Sequence, residues 1–84
     1  MITNNTLVVM NQAIQEAYLN KLSRRIADVR KQKGFTQERL AEEADLDRVA
    51  LANIETGRRR PTVTTLYKLA KAMNIDVVDL FKGL

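Results

Sequence analysis

With 84 residues, the chain has room for one core, and a domain of this size buries only about 60–70% of the surface its unfolded chain exposes, so function is directed to the surface rather than to a deep cavity. The absence of Cys and His removes disulfides, thiolate metal ligands, the commonest general base and the commonest zinc ligand. Fourteen Lys and Arg against ten Asp and Glu give a formal net charge of +4, which favours a polyanionic partner: DNA, RNA or an anionic membrane surface.

Gly34, Gly57 and Gly83 are the only glycines and Pro61 the only proline. No stretch alternates β-branched with polar residues for long, so the whole chain reads as helix with a few breaks. Residues 1–5, at the chain terminus, are expected to be disordered. Leu7, Met10, Ile14, Tyr18, Leu22 and Ile26 then recur at helical spacing with no Gly or Pro between them. They form either one long first helix or a separate short one, with Asn11 as a cap. Leu19, Leu22, Ile26 and Val29 line one face. Lys31 and Lys33 suit the negative end of the dipole, and Gly34 is placed just past the helix end.

Thr36 is a good N-cap for a second helix, with Glu38 in its first turn. Leu40, Ala41 and Ala44 are its buried stripe, and it stops near Asp45. A third helix follows Asp47 as N-cap and ends at Gly57, with Leu51 and Ile54 facing inward. Arg58, Arg59, Arg60 and Pro61 make a basic loop. Thr62 caps a fourth helix buried through Leu66, Leu69, Ala70 and Met73. Asn74 and Ile75 make the next turn. Asp76 caps a short fifth helix, with Asp79 in a capping-box position and Leu80 and Phe81 as its buried residues. The expected class is all-α, with five helices in the compact part.

The longest apolar runs, such as Leu7 to Met10, are far short of the roughly 20 residues of a membrane span. The N-terminus lacks a basic segment ahead of an apolar one, so it does not read as a secretory signal. A cytoplasmic protein without a membrane partner is expected. Glu42, Glu43 and Asp45 read as a solvated helix end rather than a metal cluster, and Thr64, Thr65 and Lys68 make no nucleophile–base pair. No catalytic residue, metal or cofactor is therefore assigned, and an enzyme is not expected. Lys21, Arg24 and Arg25 read as the wet face of the first helix. Tyr18, Tyr67, Phe35 and Phe81 read as core or interface aromatics, not as a base-stacking platform.

The informative segment spans residues 37–54. Two short helices flank a tight turn, with apolar residues at Leu40, Ala44, Leu46, Leu51 and Ile54 and a small Ala41. That pattern suits two helices crossing steeply: Ala41 permits close approach, Leu46 plugs the turn, and Leu51 and Ile54 anchor the second helix from beneath. The outer face is left with Arg48, Val49, Ala52 and Asn53. Arg48 can bind guanine and Asn53 adenine through paired hydrogen bonds, while Val49 and Ala52 can meet a thymine methyl. An isolated helix with one Arg and one Asn would be a solvated face. Placed after such a turn, it reads as a DNA-reading helix. The Arg58–Arg60 run, directly after it, favours phosphate contact over a merely solvated loop.

These residues resemble the phage-repressor and Cro-type helix-turn-helix family, often called the XRE family, over residues 19–82. The resemblance rests on Thr36-Gln37 before the second helix, the Leu40-Ala41 pair, Ile54-Glu55-Thr56-Gly57 and the basic loop ending in Pro61. Leu46-Asp47-Arg48 is also similar to the start of the reading helix in restriction–modification controller proteins. The resemblance implies a lambda-repressor-like five-helix domain over 19–84, preceded by an extension over 1–18 that is partly disordered and then helical. It implies phosphate contacts from Thr36, Gln37, Thr56, Arg58 and Arg60, and base contacts from Arg48, Val49 and Asn53 with Ala52 beside them. Arg30 and Glu55 match a partly buried ion pair tying the first helix to the end of the reading helix. One departure stands out: Asp45 occupies the turn position where the family usually has Gly, and Asp tolerates the left-handed backbone expected there better than most residues.

The reading that follows is a sequence-specific transcriptional regulator, a repressor or controller, binding a palindromic operator as a homodimer and acting by occluding or contacting RNA polymerase. The apolar stretch from Leu7 to Tyr18 either pads the core or pairs with a second chain, together with Leu80, Phe81 and Leu84. The alternatives are an antitoxin that binds a toxin protein and represses its own operon, and a protein–protein module using the same fold.

Overall fold

The computed structural model describes residues 4–84, and these are all helical in their regular structure. Four α-helices run in order: α1 Asn4–Gln32, α2 Gln37–Glu43, α3 Arg48–Glu55 and α4 Val63–Ala72. The expected fifth helix is a 3-10 helix, Val77–Phe81. Five residues supply barely more than one turn, the length at which the tighter 3-10 form is ordinarily used. Its start is a full capping box: Asp76 accepts from the Val78 N–H and the Asp79 carboxylate accepts from the Asp76 N–H. Leu80 is fully buried there, whereas Phe81 is only half-buried.

Leu7 to Ile26 do lie on one uninterrupted helix, and Asn11 caps nothing. Asn4 and Asn5, expected to be disordered, open α1; residues 1–3 of that expectation lie outside the described ones. At about 1.5 Å per residue, the 29 residues of α1 account for most of the molecule's 51 Å long axis, against 24 and 19 Å across. The radius of gyration is 14.6 Å, above the roughly 12 Å of a compact chain of this length. The excess comes from the first half of α1, whose buried residues begin only at Leu22.

The core gathers on the second half of α1. Ile26, Leu40, Leu51, Leu69 and Leu80 are fully enclosed, one from each element, and each such side chain contributes about 1.5–3 kcal/mol by leaving water. Ala41 and Ala44 are buried with them, and Leu46 packs on the cluster from the turn. α1 packs against α3 and the 3-10 helix, and α2 against α3 and α4. Arg25, expected on the wet face, instead donates from Nε and Nη2 to the Asp79 carbonyl at 3.2 and 3.0 Å, pinning the 3-10 helix to α1.

All four α-helices end in the same way. The residue after the C-cap is left-handed: Gly34 at φ 79°, Asp45 at 55°, Gly57 at 79° and Asn74 at 57°. Its N–H bonds back to the carbonyl three residues earlier, and the next N–H bonds five back: Phe35 to Arg30, Leu46 to Ala41, Arg58 to Asn53 and Ile75 to Ala70, at 2.8–3.0 Å. This is the Schellman arrangement, in which an apolar residue at the second position past the C-cap seals the end. Phe35, Leu46 and Ile75 pack on the core in that role. After α3 the same position is the exposed Arg58.

The inner end of α3 is held by charge. Arg30 donates to both Glu55 oxygens, Nε to Oε2 at 2.7 Å and Nη2 to Oε1 at 3.1 Å, and its Nη1 donates to the Phe35 carbonyl at 2.7 Å. Gln37 Nε2 adds a bond to Glu55 Oε1 at 3.0 Å. The two charged side chains are only 10% and 4% exposed.

Two stability changes are expected. Removing one partner, by Arg30→Ala or Glu55→Ala, leaves a buried charge and costs about 3–5 kcal/mol, while the apolar double replacement Arg30→Met with Glu55→Leu costs less than either. At φ 55° an L-residue is strained by about 1–2 kcal/mol, and glycine trades that for a smaller entropic loss. Asp45→Gly is therefore expected to stabilise by about 0.5–1 kcal/mol. Urea-unfolding midpoints check both.

Candidate nucleic-acid interface

α3 is short, eight residues, and its two sides differ sharply. Leu51 and Ile54 are buried beneath it. On the other side Arg48 and Val49 are exposed, and Ala52 and Asn53 are half-exposed. Neither the Arg48 guanidinium nor the Asn53 side-chain amide bonds to another group among the described residues. The row thus carries a fork of five N–H donors, an amide with both donor and acceptor, and two small apolar surfaces between them. Ala52 keeps the middle of the row low, so a duplex groove can approach the helix axis. Asp47 starts α3 with an extended backbone but without a side-chain cap bond, so no carboxylate is folded across the first turn.

The residues around this row are placed unequally. Thr36 caps α2 by accepting from the Arg39 N–H at 3.0 Å, which leaves its hydroxyl proton free to donate outward. Gln37 spends one amide N–H on Glu55 and keeps the second. Arg58 and Arg59 are exposed, without an acidic partner among the described residues, and their backbone N–H groups both bond to the Asn53 carbonyl at 2.9 and 3.1 Å. The start of the basic loop is therefore fixed to α3 itself.

Two residues expected on phosphates are engaged elsewhere. The Thr56 hydroxyl donates back to the Ala52 carbonyl at 3.0 Å, as a Thr in the last helical turn readily does. Arg60 is ion-paired with Glu16 on the first half of α1, both side chains remaining largely exposed. Neither engagement was legible in the sequence. The Arg60–Glu16 contact joins positions 44 apart, and nothing in the local pattern of either points to the other.

Gly57 carries a further constraint. A Cβ there would fall 2.9 Å from Asn20 Oδ1, so the loop after α3 runs directly against α1. The start of the basic loop is fixed by the Schellman bonds, and its end carries the exposed Arg60–Glu16 pair. Asn20 has no sequence signal that would have marked it.

Known proteins resemble this chain over much of its length. An uncharacterised HTH-type transcriptional regulator of Sinorhizobium fredii, y4dJ, is 43% identical over 54 residues, 64% of this chain and 70% of that protein. The control protein C.BamHI of Bacillus amyloliquefaciens is 29% identical over 79 residues, 94% of this chain and 84% of its own length. Among solved structures, the restriction-modification controller protein C.AhdI of Aeromonas hydrophila superposes with a TM-score of 0.75 at 37% identity, covering 77% of this chain and 98% of that one. The helix-turn-helix family model matches residues 26–80, well over half the chain, and the chain belongs to that family.

Proposed function

We propose that this protein is a transcriptional regulator that lays α3 in the major groove of duplex DNA and binds a palindromic operator as a homodimer, as a repressor or controller. The observation that carries the reading is the outward row of α3, in which Arg48, Val49, Ala52 and Asn53 stand clear of partners within the chain while Leu51 and Ile54 anchor the helix from beneath. Arg48 reads a guanine, Asn53 an adenine, and Val49 and Ala52 meet thymine methyls. Thr36, Gln37 and Arg58 donate to phosphates on either side of the groove, with Thr56 and Arg60 joining them on giving up their contacts within the chain. The regulators and controller proteins that this chain is similar to support the same class of activity. Transcription is altered by occupancy of the operator, so no catalytic step is required.

Selection of bound duplexes from a random library tests the reading. Two inverted half-sites about one helical turn, roughly 34 Å, apart are expected; no salt-dependent binding to any duplex would sink it. Within that experiment Arg48→Ala is expected to cost about 1–3 kcal/mol and to relax preference at one base position. Arg58→Ala is expected to weaken all sequences alike and to lower the slope of log affinity against log salt by about 1. An unchanged consensus with Arg48→Ala would remove that residue from the reading set.

A further inference from the structure

The first half of α1 is a helix with little to hold it. Its sequence from Asn4 to Tyr18 includes Asn4, Asn5, Thr6, Val8, Val9 and Asn11, all middling or poor helix formers. A segment of this length is marginal as an isolated helix even with better residues. None of its described residues is buried, and its ion pair, Glu16–Arg60, is exposed and so of small value.

Its apolar residues are nonetheless ordered. Met10, Ile14 and Tyr18 continue, at steps of four, into Leu22 and Ile26, forming one ridge along α1. The far end of the ridge is core, with Leu22 4% and Ile26 0% exposed, whereas Met10, Ile14 and Tyr18 are 49%, 65% and 43% exposed. Beside the bare end is an open groove of about 600 Å³ lined by Ile14, Gln15, Tyr18, Leu19, Arg60 and Pro61.

We propose that a second copy of this chain docks on the bare end of this ridge, the two α1 extensions crossing antiparallel about a two-fold axis at Ile14. Met10 of each copy then lies over Tyr18 and enters the groove beside Pro61 of the other, an isologous contact in which each residue pair occurs twice. The inference deepens the homodimer reading above and rests on it.

Charge and area select this occupant. From Asn4 to Gln15 the helix carries no charged side chain, so two copies can approach without like-charge repulsion. The same lack of Lys and Arg gives the segment no attraction to nucleic acid, nor the basic face with which amphipathic helices hold anionic membranes. Leu7, Met10, Ile14 and Tyr18, each between 43% and 65% exposed, offer on the order of 400 Å² per chain, and the groove rim brings this toward the roughly 800 Å² per partner of a stable interface.

Light scattering and sedimentation of the full chain, the Ile14→Asp variant and the Val78→Asp variant test the proposal. Val78 is an exposed apolar residue on the 3-10 helix, 63% accessible, and serves as the alternative face. The expected result is a dimer for the full chain, dimerisation weakened at least about tenfold by Ile14→Asp, and little change with Val78→Asp. Because the chain has no Cys, single-cysteine variants give a second readout. Ile14→Cys should form an interchain disulfide under mild oxidation, and Val9→Cys, on the other side of the helix, should not. A full chain that is monomeric throughout the micromolar range overturns the homodimer reading and this one with it. A dimer that survives Ile14→Asp but not Val78→Asp keeps the homodimer and overturns the placement on α1.

Discussion

The position of the candidate reading helix depends on one buried ion pair. Glu55, at the last turn of α3, receives two bonds from Arg30 and one from Gln37, and Arg30 closes the arrangement on the Phe35 carbonyl. These groups come from α1, from the turn after it, from the start of α2 and from the end of α3. Apolar packing under Leu51 and Ile54 would tolerate sliding or rotation of so short a helix. Directional bonds to both carboxylate oxygens do not. A buried pair adds little net stability, since desolvation offsets attraction; its consequence here is angular. No buried side-chain nitrogen or oxygen is left unpartnered among the described residues, so the network is complete.

The helix ends extend the same logic outward. Three of the four Schellman ends turn an apolar residue back to the core, and each thereby spends its loop on packing. The end of α3 keeps the hydrogen bonds of the motif but places Arg58 where the apolar seal would be. There Gly57 lies against the Asn20 side chain of α1. Arg58 is thereby left at the surface, its backbone bonded to Asn53 of the row Arg48, Val49, Ala52 and Asn53.

What the sequence disclosed is what depends on local spacing. Thr36, Thr62 and Asp76 cap the elements they were expected to cap, because a cap bond spans two or three residues. Leu51, Ile54, Leu66, Leu69 and Met73 are buried as their helical spacing implies, and Asp45 does adopt the left-handed backbone. The form of the fifth element was not legible, since five residues carry almost no periodicity with which to tell an α-helix from a 3-10 helix. Nor were the long-range polar contacts of Arg25, Arg60 and Asn20. A guanidinium that will pin a carbonyl 54 positions away looks, in sequence, the same as one that points into water. Gln37 illustrates the middle case: its place before the second helix was visible, its bond to Glu55 was not.

The charges of the molecule are divided along its length in a way that separates two tasks. Arg48, Arg58 and Arg59 lie at one surface without acidic partners among the described residues, while the N-terminal stretch of α1 is uncharged and carries an exposed apolar ridge. A polyanion is drawn to the first and has nothing to hold in the second; an apolar helix finds the reverse. Arg60 stands at the boundary, paired with Glu16. An exposed pair of this kind is worth roughly 0–1 kcal/mol, less than a charge-assisted bond to a phosphate in a site that several other donors already surround. On the proposed reading, the arginine can therefore leave the extension for the backbone of bound DNA at small cost, and the Pro61 side of the groove on α1 lies next to that exchange. The loop after the reading helix is then shared between the two surfaces, and the angle at which two copies cross on α1 and the reach of their basic loops cannot be set independently.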